Sequence, residues 1–339
     1  MGKHTRIIKS IIFVGAFFSI FLFYYPKSKN VSAQEDIPSC DSFVNNLTLH
    51  VPEGKQCIHV SNSYYQSAKI DGEVIVNMRR WRGETERVIE VSGDLELNGK
   101  ITIASPYSTT EDDYWDEKLY VQDFFLIVGG QIRASSNKCS EITKKGVYAY
   151  SKDIRYTTNI YIKAEKDISL CNISSFGSEI TSDSGSYARA GNIIITSNNG
   201  DVNISGYVSS SASGNHANTP GNIEIYANKG KITINGAIDS SGGGSLSGQN
   251  GGRIKILGKE IELNGQVSSS GGYGYTYHGG SGGSIEISGS EKVTINGIVY
   301  SAGGRGDSGG RGGNITISSS GIEISGSEKV TINGIVYSA

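Results

Sequence analysis

From Gly191 onward, apolar and polar residues alternate in short runs, and the runs recur. Each cycle opens with Gly-x-Ile-x-Ile, at Gly191, Gly221, Gly252, Gly283 and Gly313, so the openings lie 30, 31, 31 and 30 residues apart. In the cycle from Gly221, Ile223 and Ile225 alternate with Asn222 and Glu224, Ile232 and Ile234 alternate with Lys231 and Thr233, and Ile238 follows Asn235-Gly236. Period-two alternation predicts strands with one buried face. A fixed period of this length predicts stacked coils, each strand lying beside its counterpart one cycle later. The sequence therefore predicts an all-β fold, a parallel β-helix with three short strands per coil of about 30 residues. A right-handed path is expected from the handedness of parallel crossovers. One coil buries about five Ile or Val side chains at roughly 1.5–3 kcal/mol each, against about 1–2 kcal/mol for ordering each backbone unit, so a coil folds only between neighbours.

The outward positions support the same register. Ile194, Glu224, Lys255 and Glu286 form one expected column, and Asp201, Lys231, Glu260 and Lys292 another, with charge alternating in sign. Opposite charges facing across a ladder attract by about 0.2–1 kcal/mol. Ser205, Asn235, Asn264 and Asn296 precede Gly206, Gly236, Gly265 and Gly297. These pairs predict stacked amides at a corner where glycine supplies a positive φ.

Earlier in the chain the pattern is interrupted. Val88 to Ser105 carries two strands around Asn98-Gly99; FFLIVGGQIRASS and NIYIKAEKDISLCNISS resume the coil after two insertions, and these loops are where a specific site is expected. Residues 34–70 are expected to cap the first coil, 71–190 to form irregular coils and 191–339 regular ones. Residues 322–339 repeat residues 285–302 without a change, at a shift of 37 that breaks the period. Either a duplication displaced the last coil or the sequence is a piece of a longer array.

Lys3, His4, Arg6 and Lys9 precede an apolar run from Ile11 to Tyr25, and Val31-Ser32-Ala33 follows, the layout of a secretory signal peptide over residues 1–33. Uncleaved, the run would serve as a membrane anchor. Secretion or cell-surface display is the expected localisation. Cys40, Cys57, Cys139 and Cys171 all follow this segment. An even count in an exported chain suits disulfides, and proximity favours Cys40 with Cys57 and Cys139 with Cys171. No Cys-x-x-Cys spacing suggests a metal, and no cofactor motif is present. The net charge of −2, with 19% charged residues, gives no footprint for nucleic acid.

Three loop features carry candidate chemistry. Arg305, Gly306 and Asp307, in GGRGDSGGRGG, read as an adhesion tripeptide in an exposed flexible loop, although glycine-rich composition also yields this string. Tyr273, Tyr275, Tyr277 and His278 form an aromatic patch that suits sugar faces or a protein partner, or packs over the loop layer. Glu111, Asp112, Asp113, Asp116 and Glu117 surround Tyr114 and Trp115 in an acidic loop, of the kind more often solvated than binding. Paired carboxylates with a basic partner, as carbohydrate cleavage requires, are not marked, and no catalytic residue is assigned. Asn46, Asn172, Asn203 and Asn314 begin N-glycosylation sequons, which polar-apolar strand alternation also produces.

GGRIKILGKEIELNGQVSSSGG and GGSIEISGSEKVTINGIVYSAGG resemble the glycine-rich β-helical repeats of secreted bacterial surface proteins, filamentous haemagglutinin-like adhesins among them. The resemblance covers residues 191–339 firmly and 71–190 loosely, is architectural, and carries over no functional residue. It implies a structural or adhesive stalk displaying loops, with glycans or cell-surface proteins as partners and with further coils or end-to-end association. The alternative is a β-helical polysaccharide lyase or glycoside hydrolase acting through the loops of residues 106–158.

Overall fold

The computed structural model describes residues 37–78, 86–104, 123–134, 145–150, 158–176, 189–211, 219–324 and 335–338. Strands join by parallel pairing between successive coils, as the repeat predicts. In one coil the strands are Ile223–Ala227, Lys231–Ile234 and Ile238–Asp239. The third strands of all coils build a nine-stranded sheet, from Gln56–His59 to Ile298–Tyr300, while the first and second strands belong to a nineteen-stranded one. The reason they share a sheet lies in Ile254–Leu263 and Ile285–Ile295, where first and second strands run on without a break. Inside, Ile, Val and Leu from every coil form one continuous cluster running from Cys40 to Ile317.

The charge columns stack in the expected register. Glu224 pairs with Lys255 and Lys255 with Glu286, whose carboxylate lies 3.4 Å from the Lys255 ammonium. In the second column Lys231 pairs with Glu260 by backbone, but its ammonium reaches Glu262, two residues along the strand. These pairs are partly solvated and contribute under about 1 kcal/mol each. Asn264 donates to Asn235 at 2.8 Å and Asn296 to Asn264 at 2.8 Å, so the amide ladder is present.

The explanation for the adjoining glycines needs correcting. Among the described residues positive φ occurs at Asn46, Leu47, Gly54 and Gly146, and none of Gly206, Gly236, Gly265 or Gly297 adopts it. These corners need glycine because the coils approach too closely for a Cβ. At Gly236 it would lie 1.6 Å from the Gly206 carbonyl oxygen, at Gly265 1.7 Å from that of Gly236, and at Gly297 1.8 Å from that of Gly265.

The duplicated segment occupies two different places in the coil. Ile285 to Ile287 stack on Ile254 to Ile256 in the first column, whereas Ile322 to Ile324 stack on Val293 to Ile295 in the second. Likewise Ile298–Tyr300 is a third strand, while Ile335–Ser338 returns to the first column beside Thr316 to Ser319. Alternation fixes which residues face inward, and position in the coil is set by the preceding turns.

At the N-terminal end a 3-10 turn, Cys40–Phe43, lies over the stack and is tied to the third strand by the Cys40–Cys57 disulfide. Cys171 is also disulfide-bonded, and Cys139 lies outside the described residues. Beneath the turn, His59 is buried, with Ser63 Oγ 2.9 Å from Nδ1 and Tyr65 Oη 3.1 Å from Nε2. Burial lowers its pKa from 6.5 to about 4, against the opposing pull of Asp41. Between these two values the unfolded chain holds the proton and the folded chain does not, so stability falls as pH drops through that window. The expected loss is on the order of 3 kcal/mol. Thermal melts at pH 7 and pH 4 check this: the difference between them should shrink in His59→Gln, and an equal difference would rule His59 out as its cause.

Candidate functional site

The loops returning from third to first strand are closed at their base by a serine column that the sequence reading did not separate from loop composition. Ser210, Ser240, Ser269 and Ser301 are buried. Ser210 Oγ donates to the Gly191 carbonyl at 2.6 Å, Ser240 to Gly221 at 2.5 Å and Ser301 to Gly283 at 2.6 Å, with Ser269 bonded likewise to Gly252. Each serine carbonyl then accepts from the glycine that opens the next coil, as Ser240 does from Gly252 at 2.8 Å. A Cβ at Gly252 would lie 2.2 Å from Ser240 Oγ, which is why the strand motif begins with glycine. The signal was visible as a serine two positions after each of Val208, Ile238, Val267 and Val299, a spacing that alternation alone did not distinguish.

Beyond these closures, residues 241–251, 270–282 and 302–312 project as three flat fins, each with an outgoing and a returning limb. Gly242, Ser245, Gly248 and Gly251 donate to Ser270, Tyr273, His278 and Ser281 of the next fin at 2.8–3.0 Å. Gly271, Gly274, Gly279 and Gly282 donate in the same way to Ala302, Arg305, Ser308 and Arg311 at 2.7–2.9 Å. Within a limb the donors are three residues apart, the repeat of a polyproline II helix. A second set of bonds links limbs sideways in a zigzag, Gly310 to Gly304 to Gly280 to Gly272 to Gln249 to Gly243, at 2.7–3.1 Å. At Gly272, Gly280, Gly304 and Gly310 a Cβ would lie 1.8–1.9 Å from a carbonyl oxygen of the preceding fin, so these positions require glycine.

At the fin tips the structure brings the two exposed sequence motifs together. Tyr273, Tyr275 and Tyr277 are 49%, 55% and 55% exposed, beside Leu246 on the preceding fin at 62%. Tyr273 and Tyr275 meet edge to face with centroids 5.1 Å apart. The tyrosines are therefore half-exposed, and Tyr275 also lies against the preceding fin, where its hydroxyl would stand 3.2 Å from a Cβ at Gly244. Arg305 and Asp307 occupy the following fin, the Asp307 N–H bonded to the Tyr277 carbonyl at 2.8 Å and the Arg305 carbonyl accepting from Gly274 at 2.7 Å. A Cβ at Gly306 would lie 2.5 Å from the Gly279 nitrogen. Hence the tripeptide runs along a hydrogen-bonded edge, where the sequence suggested a flexible loop. His278 Nδ1 and Ser308 Oγ bond across the same two fins. Asp239, raised in pKa by burial, lies under the base of the layer with Ser241 Oγ 2.5 Å away.

A second polar cluster occupies the outer face of the nine-stranded sheet in the early coils. The Glu73 carboxylate accepts from Gln56 Nε2 at 2.7 Å and Thr102 Oγ1 at 2.5 Å and lies 3.3 Å from Lys100 Nζ. Lys100 sits 5.4 Å from the centre of the Tyr148 ring, whose hydroxyl pKa is raised by burial and by Tyr207. Among the described residues this cluster holds a single carboxylate. The acidic loop of Glu111 to Glu117, and Cys139, fall outside the described residues, as do most of residues 106–158. Of the sequons, Asn172 is buried and donates to the Lys145 carbonyl, while Asn46, Asn203 and Asn314 are exposed.

No protein-family model, no curated protein and no solved structure matches the chain. Any functional reading therefore rests on this geometry.

Proposed function

We propose that the protein is a secreted or cell-surface structural protein whose β-helical stalk displays aromatic-tipped loops for adhesion, in the manner of the adhesins its repeats resemble. The observation that carries this reading is the tyrosine cluster, half-exposed yet mounted on fins whose backbones are hydrogen-bonded to one another. Fixing a loop before binding removes an ordering cost that a mobile loop would meet on contact. Tyrosine combines an apolar face with a hydroxyl, and so suits the C–H faces and hydroxyls of sugars as well as protein surfaces. Disulfide bonding agrees with an oxidising compartment.

The test is binding of the protein to a glycan array and to intact cells, with a Tyr273→Ala/Tyr275→Ala/Tyr277→Ala variant as comparison. Because these rings are half-exposed, the variant is expected to keep its melting temperature and to lose binding by at least about tenfold, the result of losing two or three anchors worth roughly 0.5–1.5 kcal/mol each. Undiminished binding by the variant would overturn the reading. A polysaccharide-cleaving enzyme is the competing reading, favoured by the Glu73, Lys100 and Tyr148 cluster. Incubating the bound glycans with protein and assaying new reducing ends separates the two: intact glycans are expected, and cleavage lost in Glu73→Gln would put the enzyme in place of the stalk.

A further inference from the structure

Asparagine followed by glycine is the pair whose backbone can close on its own side chain, because the glycine nitrogen has no Cβ beside it. Six such pairs lie among the described residues, at Asn98, Asn199, Asn235, Asn250, Asn264 and Asn296, and the structure treats them differently. In four of them the glycine N–H is already committed. Gly99 donates to the Ile70 carbonyl at 2.7 Å, Gly200 to Ser197 Oγ at 3.0 Å, Gly251 to the Ser281 carbonyl at 2.9 Å and Gly297 to the Leu263 carbonyl at 3.1 Å. Among the described residues nothing accepts from Gly236 or Gly265. Theirs are the nitrogens left to act as nucleophiles.

The side chains separate these two pairs. Asn264 is held on both sides, its Nδ2 donating to Asn235 at 2.8 Å and to Glu262 at 3.2 Å, its Oδ1 accepting from Asn296 at 2.8 Å. Asn235 ends the amide ladder, because the preceding coil carries Ser205 at this position and offers no amide oxygen. Its Oδ1 accepts from Asn264, while its Nδ2 has no partner among the described residues. The coils on both sides of this corner, through Ser205 and Asn264, are described, and Asn235 itself is exposed to water. A donor on the carbonyl oxygen stabilises the oxyanion that forms when a nucleophile adds to the carboxamide. An amino group held by nothing leaves without a hydrogen bond to break.

We propose that Asn235 is a self-modification site of the stack, converted by its own neighbour Gly236. The Gly236 nitrogen gives up its proton to hydroxide and bonds to Asn235 Cγ, the Cγ–Nδ2 bond breaks, and Nδ2 leaves as ammonia after taking a proton from water. The succinimide so formed adds water and opens to aspartate or isoaspartate; the net change is one water consumed and one ammonia released. Aspartate keeps an oxygen in place for Asn264 Nδ2. Isoaspartate instead lengthens the main chain by one carbon at a corner where even a Cβ on Gly236 would lie 1.6 Å from the Gly206 carbonyl oxygen, so it loosens this rung. The inference concerns the corner column and is independent of the tyrosine tips.

The test is incubation of the folded full chain at mildly alkaline pH, followed by digestion in mild acid and tandem mass spectrometry to locate the amide-to-acid mass gain. Asn235 is expected to react at least about fivefold faster than Asn98, Asn199, Asn250 and Asn296, the worth of one hydrogen bond that those sites must first break. Asn264 is expected to lag Asn235 by a similar factor. A Ser205→Asn variant extends the ladder by one amide whose oxygen accepts from Asn235 Nδ2, and should slow Asn235 by about fivefold with no loss of melting temperature. In urea, where the coils are unfolded, the six sites should react at similar rates in parent and variant alike. Another pair reacting as fast as Asn235 in the folded chain, or the same lead for Asn235 in urea, overturns the proposal. So does an unslowed Asn235 in a folded Ser205→Asn protein.

Discussion

Replacing Gly265 by alanine is expected to destabilise the protein by about 4 kcal/mol or more, at the extreme of what single substitutions do. The new methyl would lie 1.7 Å from the Gly236 carbonyl oxygen, a backbone atom that itself belongs to a stacked corner. Nothing flexible can move aside. Relief requires opening the rung between the two coils, which also separates Asn264 from Asn235 and strains the pairing of Gln266–Ser268. Chemical denaturation measures the loss, and hydrogen exchange locates it, because in a stack each coil depends on its neighbours. Gly54→Ala serves as comparison: its φ of +73° is unfavourable for a side chain, but nothing lies within 4 Å, so about 1 kcal/mol is expected. A Gly265→Ala protein within about 1 kcal/mol of the parent would show that the coils tolerate wider spacing than the structure has.

That prediction depends on distances that no sequence pattern states, and the same holds for much of the candidate site. The fold itself was legible, because Ile223, Ile225, Ile232 and Ile234 write their burial directly into a period of two and their stacking into a period near 31 residues. The charge and amide columns were legible for the same reason, being the other face of that alternation. What pattern reading assigned incorrectly was the cause of the corner glycines, since a positive φ and a missing Cβ both select glycine and only the Gly206-to-Gly236 approach separates them. The fins were hidden more deeply. Their order comes from backbone groups of Gly272, Gly280 and Gly304, and composition alone makes such segments look like flexible linkers. Tyr273, Tyr275 and Tyr277 could be nominated from sequence, but their exposure follows from the fin geometry, which leaves side chains at the tips as the outward feature.

The second large effect is expected at the opposite end of the stack. Cys40 and Cys57, separated by 17 residues, are both fully buried and form the first layer of the continuous core. Closing a loop of this length stabilises by roughly 3 kcal/mol in the chain-entropy account. The bond also holds the Cys40–Phe43 turn against the strands Thr48–Val51 and Gln56–His59, over the end of a sheet that would otherwise present its edge. A Cys40→Ser/Cys57→Ser variant should therefore lose protection first at the amides of Leu49, Val51 and Ile58. Amides within Ile254–Leu263 should keep theirs, because coils far along a stack share no contacts with the cap. His59 provides a second readout that ordinary loss of stability would not move. It is buried beside Tyr65 beneath the cap, so opening the cap hydrates its imidazole and its pKa should climb from about 4 towards 6.5. Uniform loss of protection along the whole stack would mean that the chain unfolds as one cooperative unit, and an unchanged His59 titration would mean that the turn stays seated without its disulfide.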